Sequence, residues 1–581
     1  MVVYAMIDYE QFESAIGLNW YEIDPNLRQV VHRTLETPDL EWCEPELARI
    51  GALCGGPIAE RAEVTDKHPP ELVKFDRWGE QIDEVRHHPA ALATKRDLWE
   101  AGVSGPRLHQ EARRRGRKLP DILATATNYL LSQAETGMLC SIGMTSGVIG
   151  LVNRFGTPEI KQQFLTHLTA PHFDGAWDGA MFMTEKSGGS DLGTLTTVAR
   201  RDGEGWILNG SKWFCSNIDA GAIVTLARPD GGPEGLRGVA LFLVPRYRRD
   251  GSRNGISIRR LKDKLGTRAV PSAEADFVDA EAFLLAGDGS ATDGRGINRM
   301  MEMVNDSRRG VAVMGLGIMR RVFLESAIFA AHRRAFGKRI DELPMMRETL
   351  VGMVVELEAA AALVFASADG DGAVARVLVP AAKLRATRRG VELASQAIEV
   401  HGGNGYIENW PLARQLRDAQ CNTIWEGTEN IICLDILRAL RNEQVMEGTF
   451  AALTERIDSV GAELGPVRET VAEGLRDLRQ ALQFLSRADR DLAQLRARTF
   501  GNYLADVAAA ALLLEEAQWE LRHHASGRKA VVAHLFAETH LRHRPLRGIT
   551  SGDRTILELF DPLTRYGEIE PARAAAVLRA G

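Results

Sequence analysis

Residues 194–217 read TLTTVARRDGEGWILNGSKWFCSN, and this stretch predicts a change of architecture within a largely helical chain. Threonine, valine, isoleucine and aromatic residues are concentrated in it, as is typical of β-strands. Asp202-Gly203 and Asn209-Gly210 are both dipeptides that favour tight hairpin turns. The following segments AIVTLARPDGG and GVALFLVPR have the same character, so we predict an all-β domain over residues 175–290.

Helical patterns flank this β domain on both sides. Residues 122–144 (ILATATNYLLSQAETGMLCSIGM) lack proline and are rich in Ala, Leu and Met, which favours a buried helix. After Gly296, amphipathic stretches such as ESAIFAAHRRAF predict helices to the end of the chain. We therefore predict a mainly helical α+β protein with four domains. They are an N-terminal helical domain (1–174), a central β domain (175–290), a helical bundle (291–440) and an extra C-terminal helical domain (441–581).

The composition is that of a soluble globular protein, with 45% hydrophobic residues among 581. The net charge of −7 gives no general attraction to nucleic acid or to an anionic membrane. Six scattered cysteines without a C-x-x-C pair favour reduced thiols. With no secretory signal and no run of about 18 apolar residues, we expect a cytoplasmic protein that does not enter a membrane. His540 and His543 have no partners that would complete a metal site, so no metal is assigned.

Two polar segments of the β region could contact a ligand. In MTEKSGGSD (183–191), the glycine pair would let backbone amides approach a ligand closely, although for this stretch alone a simple polar turn is the favoured interpretation. In SKWFCSN (211–217), Trp213 and Phe214 are consecutive on a strand and should face opposite sides of the sheet. One ring could then cover a ligand, or both could be packed in the protein.

Two further turns lie among the later helices. RRAFGKR (333–339) places arginines at a helix end, where they could bind phosphate or simply be solvated. HGGNGY (401–406) is dense in glycine and permits a tight backbone path or close packing against a ring system.

Glu426 is the candidate catalytic carboxylate, within CNTIWEGTEN (421–430). The next residues form an amphipathic helical pattern, with Thr428 as the predicted N-cap. In a dry site beside Trp425, the pKa of this carboxylate would rise toward the range of a general base. Considered alone, however, a glutamate in a loop is more often a solvated charge.

In this order and spacing, MTEKSGGSD, NGSKWFCSN, RRAFGKR, EVHGGNGY and WEGT resemble the acyl-CoA dehydrogenase flavoprotein family over nearly the whole chain. PPELVKFDRWGEQIDEVRHHPA and RLKDKLGTRA are most similar to its adaptive-response (AidB) branch. The resemblance implies a β-barrel-like central domain and FAD as cofactor, bound with help from a neighbouring subunit. It also implies a homotetramer and transfer of electrons to an electron-transfer flavoprotein.

The resemblance implies a role for each matching residue. Glu426 would be the base that takes the α-proton of an acyl-CoA thioester while hydride leaves the β-carbon for flavin N5, giving a 2-enoyl-CoA in fatty acid metabolism. The implied FAD-binding residues are Met183, Thr184, Gly189, Ser190, Phe214, Ser216, Arg333, Phe336, Gly402, Gly403, Thr428 and Asn430.

The same branch suggests an alternative function, a DNA-associated flavoprotein of the alkylation or stress response with weak dehydrogenase activity. Phosphate contacts would need a basic surface. Residues 441–581 contain no excess of basic residues, but they include a local basic cluster of Arg522, Arg528, Lys529, Arg542, Arg544 and Arg547. A solvated helix face explains this cluster more simply, so nucleic acid is possible but not favoured.

Overall fold

The computed structural model describes residues 6–369, 372–542 and 552–580, in which helices precede and follow a set of strands, as predicted. The first helices are α1 (Pro25–Thr34), α2 (Thr37–Leu53), α3 (Ala59–Lys67), α4 (Pro89–Ala101), α5 (Arg107–Arg114), α6 (Asp121–Ala134), α7 (Thr136–Phe155) and α8 (Pro158–Leu168). Between α3 and α4, strands β1 (Glu71–Phe75) and β2 (Gln81–Arg86) form a hairpin that was not predicted.

The central strands close on themselves. They are β3 (Gly179–Phe182), β4 (Val198–Asp202), β5 (Gly205–Ser216), β6 (Ala222–Pro229), β7 (Ala240–Pro245), β8 (Ile256–Leu261) and β9 (Ser272–Leu284). Strands β6, β4, β5, β9 and β7 pair in that order, and β7 pairs again with β6. Strand β3 adds to β6, and β8 adds to β9. This closed ring confirms the expected β-barrel-like central domain.

Strand β6 is buried on both faces. Ile223 belongs to the core inside the barrel, which also includes Leu208 and Phe242. Its neighbour Val224 belongs to a second core, which includes Phe164 of α8. Because successive strand residues point to opposite faces, an uninterrupted apolar run such as AIVTLA can serve two cores at once.

One of the two predicted hairpin turns is wrong. Strands β4 and β5 pair as far as Asp202 and Gly205, which confirms the turn at Asp202-Gly203. Asn209-Gly210 lies instead inside β5, where the register with β9 shifts. Gly210 has a φ of +152°, and a Cβ there would lie 2.6 Å from Thr197 Oγ1, so this glycine permits a bulge and a close strand approach.

The long helix predicted over residues 122–144 is broken at Glu135. This residue has an extended backbone (φ −149°), and its side chain accepts a hydrogen bond from the Gly137 amide as the N-cap of α7. Its carboxylate also accepts a hydrogen bond from Thr65. The apolar pattern continues across the break, which is why the sequence did not indicate it.

The rest of the chain is helical except for one small hairpin. Its elements are α9 (Gly296–His332), β10 (Arg334–Ala335), β11 (Lys338–Arg339), α10 (Pro344–Asp369), α11 (Gly372–His401), α12 (Gly403–Tyr406), α13 (Pro411–Asn422), α14 (Glu429–Ala439), α15 (Glu443–Asp458), α16 (Gly465–Arg487), α17 (Arg490–His523), α18 (Arg528–His540), α19 (Thr555–Glu558), α20 (Phe560–Thr564) and α21 (Pro571–Ala580).

Contacts divide the chain into two compact units. The first is formed by Met1–Pro57, Pro120–Ala134 and Val311–Gly581, and the second by Ile58–Leu119 and Glu135–Gly310. The second unit contains the barrel, and the first contains the later helices. The division into four domains stays a prediction.

Two helices of the described residues are long and apolar enough to cross a membrane by length and composition alone, Thr136–Phe155 and Pro344–Ala368. Such helices were not expected from the sequence. Most of each apolar window is buried inside the protein, as in the core helices of many soluble proteins.

The C-terminal helices are joined to α10 by a buried charge cluster. Glu358 of α10 is fully buried and pairs with Arg528 and with Lys529, whose Nζ lies 2.8 Å from its carboxylate. Burial raises the pKa of Glu358, but these two cations outweigh it and lower the pKa to about 2. Lys529 also donates to Glu516 and to Asn26.

These contacts correct the predicted basic cluster. Arg528 and Lys529 are buried in ion pairs and cannot reach phosphate at the surface. Arg542, just after α18, pairs with Glu538 of that helix, and Arg522 is exposed. Arg544 and Arg547, like His543, lie outside the described residues.

We predict that Glu358→Gln destabilises the protein by about 3–5 kcal/mol at pH 7, because two buried cations lose their counter-charge. The pKa of Glu358 falls from its ordinary 4.5 to about 2 on folding. Its contribution is therefore fully present above about pH 4.5 and is lost as the pH falls toward 2. Thermal unfolding at pH 7 and at lower pH should show the difference between variant and wild type narrowing on acidification.

Glu473→Gln is the matched control, since Glu473 is exposed and pairs only loosely with Arg476, at 3.9 Å. It should change stability by less than about 1 kcal/mol. Equal effects of the two substitutions would contradict the assigned role of Glu358.

Candidate functional site

Glu426 lies in the connection between α13 and α14, half-buried, with a left-handed backbone (φ +56°). Gly427 follows with a φ of +107°. Left-handed backbone is unfavourable for a residue with a Cβ by roughly 1–2 kcal/mol, so other contacts must stabilise it. The turn therefore gives Glu426 a specific direction that an ordinary solvated loop would not need.

Lys383 supplies such contacts. Its side chain projects from α11 and is 1% exposed. The Nζ atom donates hydrogen bonds to the carbonyl oxygens of Gly427 (2.6 Å) and Thr423 (3.3 Å). One buried ammonium group thus joins the two ends of the turn that carries Glu426. Lys383 was not predicted from the sequence, although a single lysine in the apolar run LVPAAKL was a visible signal.

The first residues of α14 are also held by side chains of other helices. Thr428 is the N-cap residue, as predicted, but its hydroxyl makes no capping hydrogen bond. Arg388 of α11 pairs with Glu429 at 3.2 Å. Asn430 accepts hydrogen bonds from Arg498 of α17. The structure therefore brings Glu426, Thr428 and Asn430 together at the start of one helix.

Gly402 and Gly403 connect α11 to α12. Gly402 has a φ of +58°, and no atom lies within 4 Å of a Cβ built at either glycine. The backbone here is therefore open to an incoming group, as a ligand-binding turn requires.

The RRAFGKR segment forms a hairpin immediately after α9. Strands β10 and β11 pair, and the two turn residues Phe336 and Gly337 have φ values of +53° and +77°. Positive φ at both central positions is typical of a type I′ turn. The ring of Phe336 is 92% exposed at the tip, and Arg333 is exposed just before the hairpin.

The loop after β3 contains Met183, Thr184, Gly189 and Ser190. Glu185 and Gly188 exchange backbone hydrogen bonds (3.2 and 3.0 Å), which closes a tight turn. A Cβ on Gly189 would lie 2.6 Å from Thr184 Oγ1, so a larger residue here would have to displace the Thr184 side chain. Ser190 is exposed, while Met183 packs against the core that includes α8.

Glu185 holds this loop in place through buried hydrogen bonds, a role that was not predicted from the sequence. Its buried carboxylate accepts hydrogen bonds from Thr196, Thr197 and the buried Nζ of Lys212 (2.9 Å). Burial raises the pKa of Glu185, but the Lys212 charge and these hydrogen bonds outweigh it and lower the pKa to about 2. The available signal was a pair of opposite charges in neighbouring motifs, Glu185 in MTEKSGGSD and Lys212 in SKWFCSN.

Trp213 and Phe214 do not face opposite sides of the sheet as predicted. The Nζ of Lys262 lies 3.6 Å from the Trp213 ring centre and 4.9 Å from that of Phe214. The register with β9 shifts between Lys212 and Cys215, and this irregularity turns both rings toward one cation. Neither ring is in the core, and Phe214 is 54% exposed.

Ser216 lies two residues beyond Phe214 at the end of β5. Its hydroxyl is 2.9 Å from that of Ser272 on the paired strand β9. Ser216 is therefore held within the sheet and is only partly accessible.

Within the described parts of the chain, no group of three or more His, Cys, Asp or Glu side chains could hold a metal ion. The polar groups of these loops are backbone amides, hydroxyls and single charges. They suit an organic ligand with hydrogen-bonding and ring atoms better than an ion.

Sequence comparison assigns four consecutive segments to known domain families. Residues 10–175 match the N-terminal domain of the adaptive response protein AidB. Residues 180–280 and 294–441 match the middle and C-terminal domains of acyl-CoA dehydrogenases. Residues 444–547 match the family described as acyl-CoA dehydrogenase 11 C-terminal domain-like.

Two curated proteins are similar over most of their length. The putative acyl-CoA dehydrogenase AidB of Escherichia coli (strain K12) is 36% identical over 435 residues, which cover 71% of this chain and 76% of that protein. Acyl-CoA dehydrogenase family member 11 of Caenorhabditis elegans is 29% identical over 489 residues, covering 80% and 78%.

A solved structure agrees with these matches. The crystal structure of Caenorhabditis elegans ACDH-11 in complex with C11-CoA superposes with a TM-score of 0.84 at 28% identity, covering 93% of this chain and 95% of that one. This likeness confirms the predicted fold class. The chain belongs to the acyl-CoA dehydrogenase family and carries an AidB-type N-terminal domain.

Proposed function

We propose that the protein is an FAD-dependent acyl-CoA dehydrogenase that introduces an α,β double bond into an acyl-CoA thioester, with Glu426 as the base. The observation that carries this proposal is the left-handed turn at Glu426 held by the buried Lys383. A strained backbone stabilised by a dedicated buried cation is typical of a side chain whose direction matters for function.

The residues present fit FAD. The turn at Gly402-Gly403 is open to a ring system, and Phe214 and Phe336 expose aromatic faces. Gly402 permits close backbone approach to a ligand. We propose that the cofactor is held by Met183, Thr184, Gly189, Ser190, Phe214, Ser216, Arg333, Phe336, Gly402, Gly403, Thr428 and Asn430.

The chain's own contribution to the reaction is a positioned proton acceptor. The Glu426 carboxylate takes the α-proton of the thioester, and a fixed geometry is essential because proton abstraction needs heavy atoms about 3 Å apart. FAD, when bound, supplies the acceptor for the hydride that leaves the β-carbon. The substrate thus loses one proton to Glu426 and one hydride, which carries two electrons, and becomes a trans-2-enoyl-CoA.

The partners follow from the same proposal. The ACDH-11 structure is a complex with C11-CoA, which supports an acyl-CoA as the substrate class here. Two electrons per turnover must leave the protein, and we propose an electron-transfer flavoprotein as their acceptor. We further propose a cytoplasmic homotetramer, in which the exposed Phe336 ring meets another subunit.

DNA binding through the C-terminal basic cluster is not proposed. Two of its six members, Arg528 and Lys529, are buried in ion pairs with Glu358. Phosphate contacts require several accessible cations on one face, and among the described members of the cluster only Arg522 and Arg542 are exposed, the latter paired with Glu538.

Glu426→Gln should leave the protein yellow with bound FAD but abolish bleaching of the flavin by acyl-CoA under anaerobic conditions. The amide keeps the size of the side chain and cannot accept the α-proton, so we expect at least about a thousandfold slower reduction. Stopped-flow absorbance with a panel of acyl-CoAs measures the rate of flavin reduction. Glu408→Gln, at an exposed residue paired with Arg417, is the control and should react like the wild type.

A purified protein that cannot be loaded with FAD would overturn the assignment. Wild-type reduction rates in Glu426→Gln would leave the dehydrogenase function standing but show that another group is the base.

Lys383→Met should slow flavin reduction about tenfold and lower the melting temperature. Methionine matches the length of lysine but leaves the partly buried carbonyls of Thr423 and Gly427 without their donor, at a cost of up to about 1–3 kcal/mol for each. Lys67→Met, at an exposed lysine of α3, is the control for loss of one positive charge. If the flavin of Lys383→Met is reduced at the wild-type rate, the hydrogen bonds of Lys383 to the turn do not position Glu426.

A further inference from the structure

The C-terminal extension (residues 441–581) contacts α14, the helix that follows Glu426. Arg498 of α17 donates two hydrogen bonds to the side-chain oxygen of Asn430, from Nε (3.2 Å) and from Nη2 (3.0 Å). Asn502, one turn later on α17, donates to the Glu429 carboxylate at 3.2 Å. Both acceptors lie in the first turn of α14, directly after Glu426 and Thr428.

The backbone of α17 also packs directly on α14. A Cβ built on Gly501 would lie 2.9 Å from Cys433 Sγ and 3.5 Å from Leu384 Cδ2. Gly501 and Cys433 are both buried. Glycine is unfavourable inside a helix, and here its missing side chain is what allows α17 to approach this closely.

Helix α11 approaches α14 through other residues. Lys383, next to Leu384 in sequence, holds the turn carbonyls of Thr423 and Gly427. Arg388, one turn further along, pairs with Glu429. The turn that carries Glu426 and the start of α14 are therefore held by two helices at once, α11 and α17.

We propose that α17 of the extension positions the Glu426 turn, with Arg498, Gly501 and Asn502 as positioning residues. This inference rests on the proposed role of Glu426. These three residues act through Asn430, Cys433 and Glu429 and do not themselves touch the substrate. The segment that matches the acyl-CoA dehydrogenase C-terminal domain ends at residue 441, so the proposal gives the following segment a direct part in the geometry of the candidate base.

The polar contacts are tested by Arg498→Ala and Asn502→Ala, since both side chains are accessible and their loss should not unfold the protein. The reduction rate at saturating acyl-CoA should fall about three- to tenfold with little change in the concentration that gives half-saturation, because small displacements of a base slow the chemical step. Arg498→Lys, which keeps the positive charge on a single donor nitrogen, should recover part of the loss.

Arg496→Ala is the matched control. Arg496 is exposed on the same helix, and no hydrogen bond or ion pair between described residues joins it to α14. If Arg498→Ala, Asn502→Ala and Arg496→Ala all reduce at the wild-type rate, the polar contacts do not position Glu426.

The close approach of α17 is tested by a rescue pair. Gly501→Ala adds a methyl group that Cys433 Sγ must move to accept, and it should slow reduction about tenfold. Cys433→Ala removes the opposing sulfur, so Gly501→Ala with Cys433→Ala should return to within about twofold of Cys433→Ala alone. If the double variant is as slow as Gly501→Ala alone, the proposal is overturned.

Amide hydrogen exchange gives a readout that does not depend on turnover. In Arg498→Ala, peptides spanning residues 423–432 should exchange several-fold faster than in wild type and in Arg496→Ala, at unchanged melting temperature. Unchanged exchange there would overturn the positioning role. If no acyl-CoA reduces the wild-type flavin, the proposed function fails, while hydrogen exchange still decides whether α17 holds this turn.

Discussion

The carbonyl oxygens of Thr423 and Gly427 both accept hydrogen bonds from the buried ammonium group of Lys383, and the geometry of the candidate base depends on this contact. Between these carbonyls the chain adopts a left-handed conformation at Glu426. A residue with a Cβ does not adopt that conformation without compensation. A buried cation is a strong donor to backbone carbonyls, and its own desolvation is offset only while both carbonyls remain in place. Lysine and turn therefore stabilise each other.

A similar arrangement holds the other candidate loop, in the second unit. Glu185 and Lys212 form a buried pair beneath the exposed glycine turn, and Thr196 and Thr197 complete the hydrogen bonds of the carboxylate. In both places a polar turn is held by hydrogen bonds to a buried charged side chain. Such support is what a binding loop needs if its ligand is to be held in one orientation.

The extension adds a further level of support in the first unit. Glu358, Arg528 and Lys529 attach α18 to α10 through buried ion pairs. Helix α17 then contacts α14 through Arg498 and Gly501. In the sequence alone, Arg528 and Lys529 looked like part of a surface basic cluster. Their burial instead assigns them to the interior contacts of the extension.

Local patterns in the sequence predicted much of this fold correctly, because they depend on neighbouring residues. The apolar runs of β6 and β7, the Asp202-Gly203 turn and the helix after Thr428 are of this kind. The errors arose where distant parts of the chain decide the outcome. Gly210 is a bulge because Thr197 approaches it, and Trp213 and Phe214 turn toward Lys262 because the strand register shifts. The break at Glu135 depends on a side-chain cap that its apolar flanks concealed.

The sequence by itself determined the order of helical and β segments. It also indicated Glu426 among the carboxylates, because four other motifs occur with WEGT in a characteristic order and spacing. Only the tertiary structure decided how Glu426 is held. Its left-handed backbone and its support by Lys383 and by Arg498 involve residues roughly 40 and 70 positions away along the chain. Such contacts leave no periodic signal, because a single buried lysine or exposed arginine looks the same in sequence whatever it touches. The direction of one carboxylate is therefore a property of the folded chain.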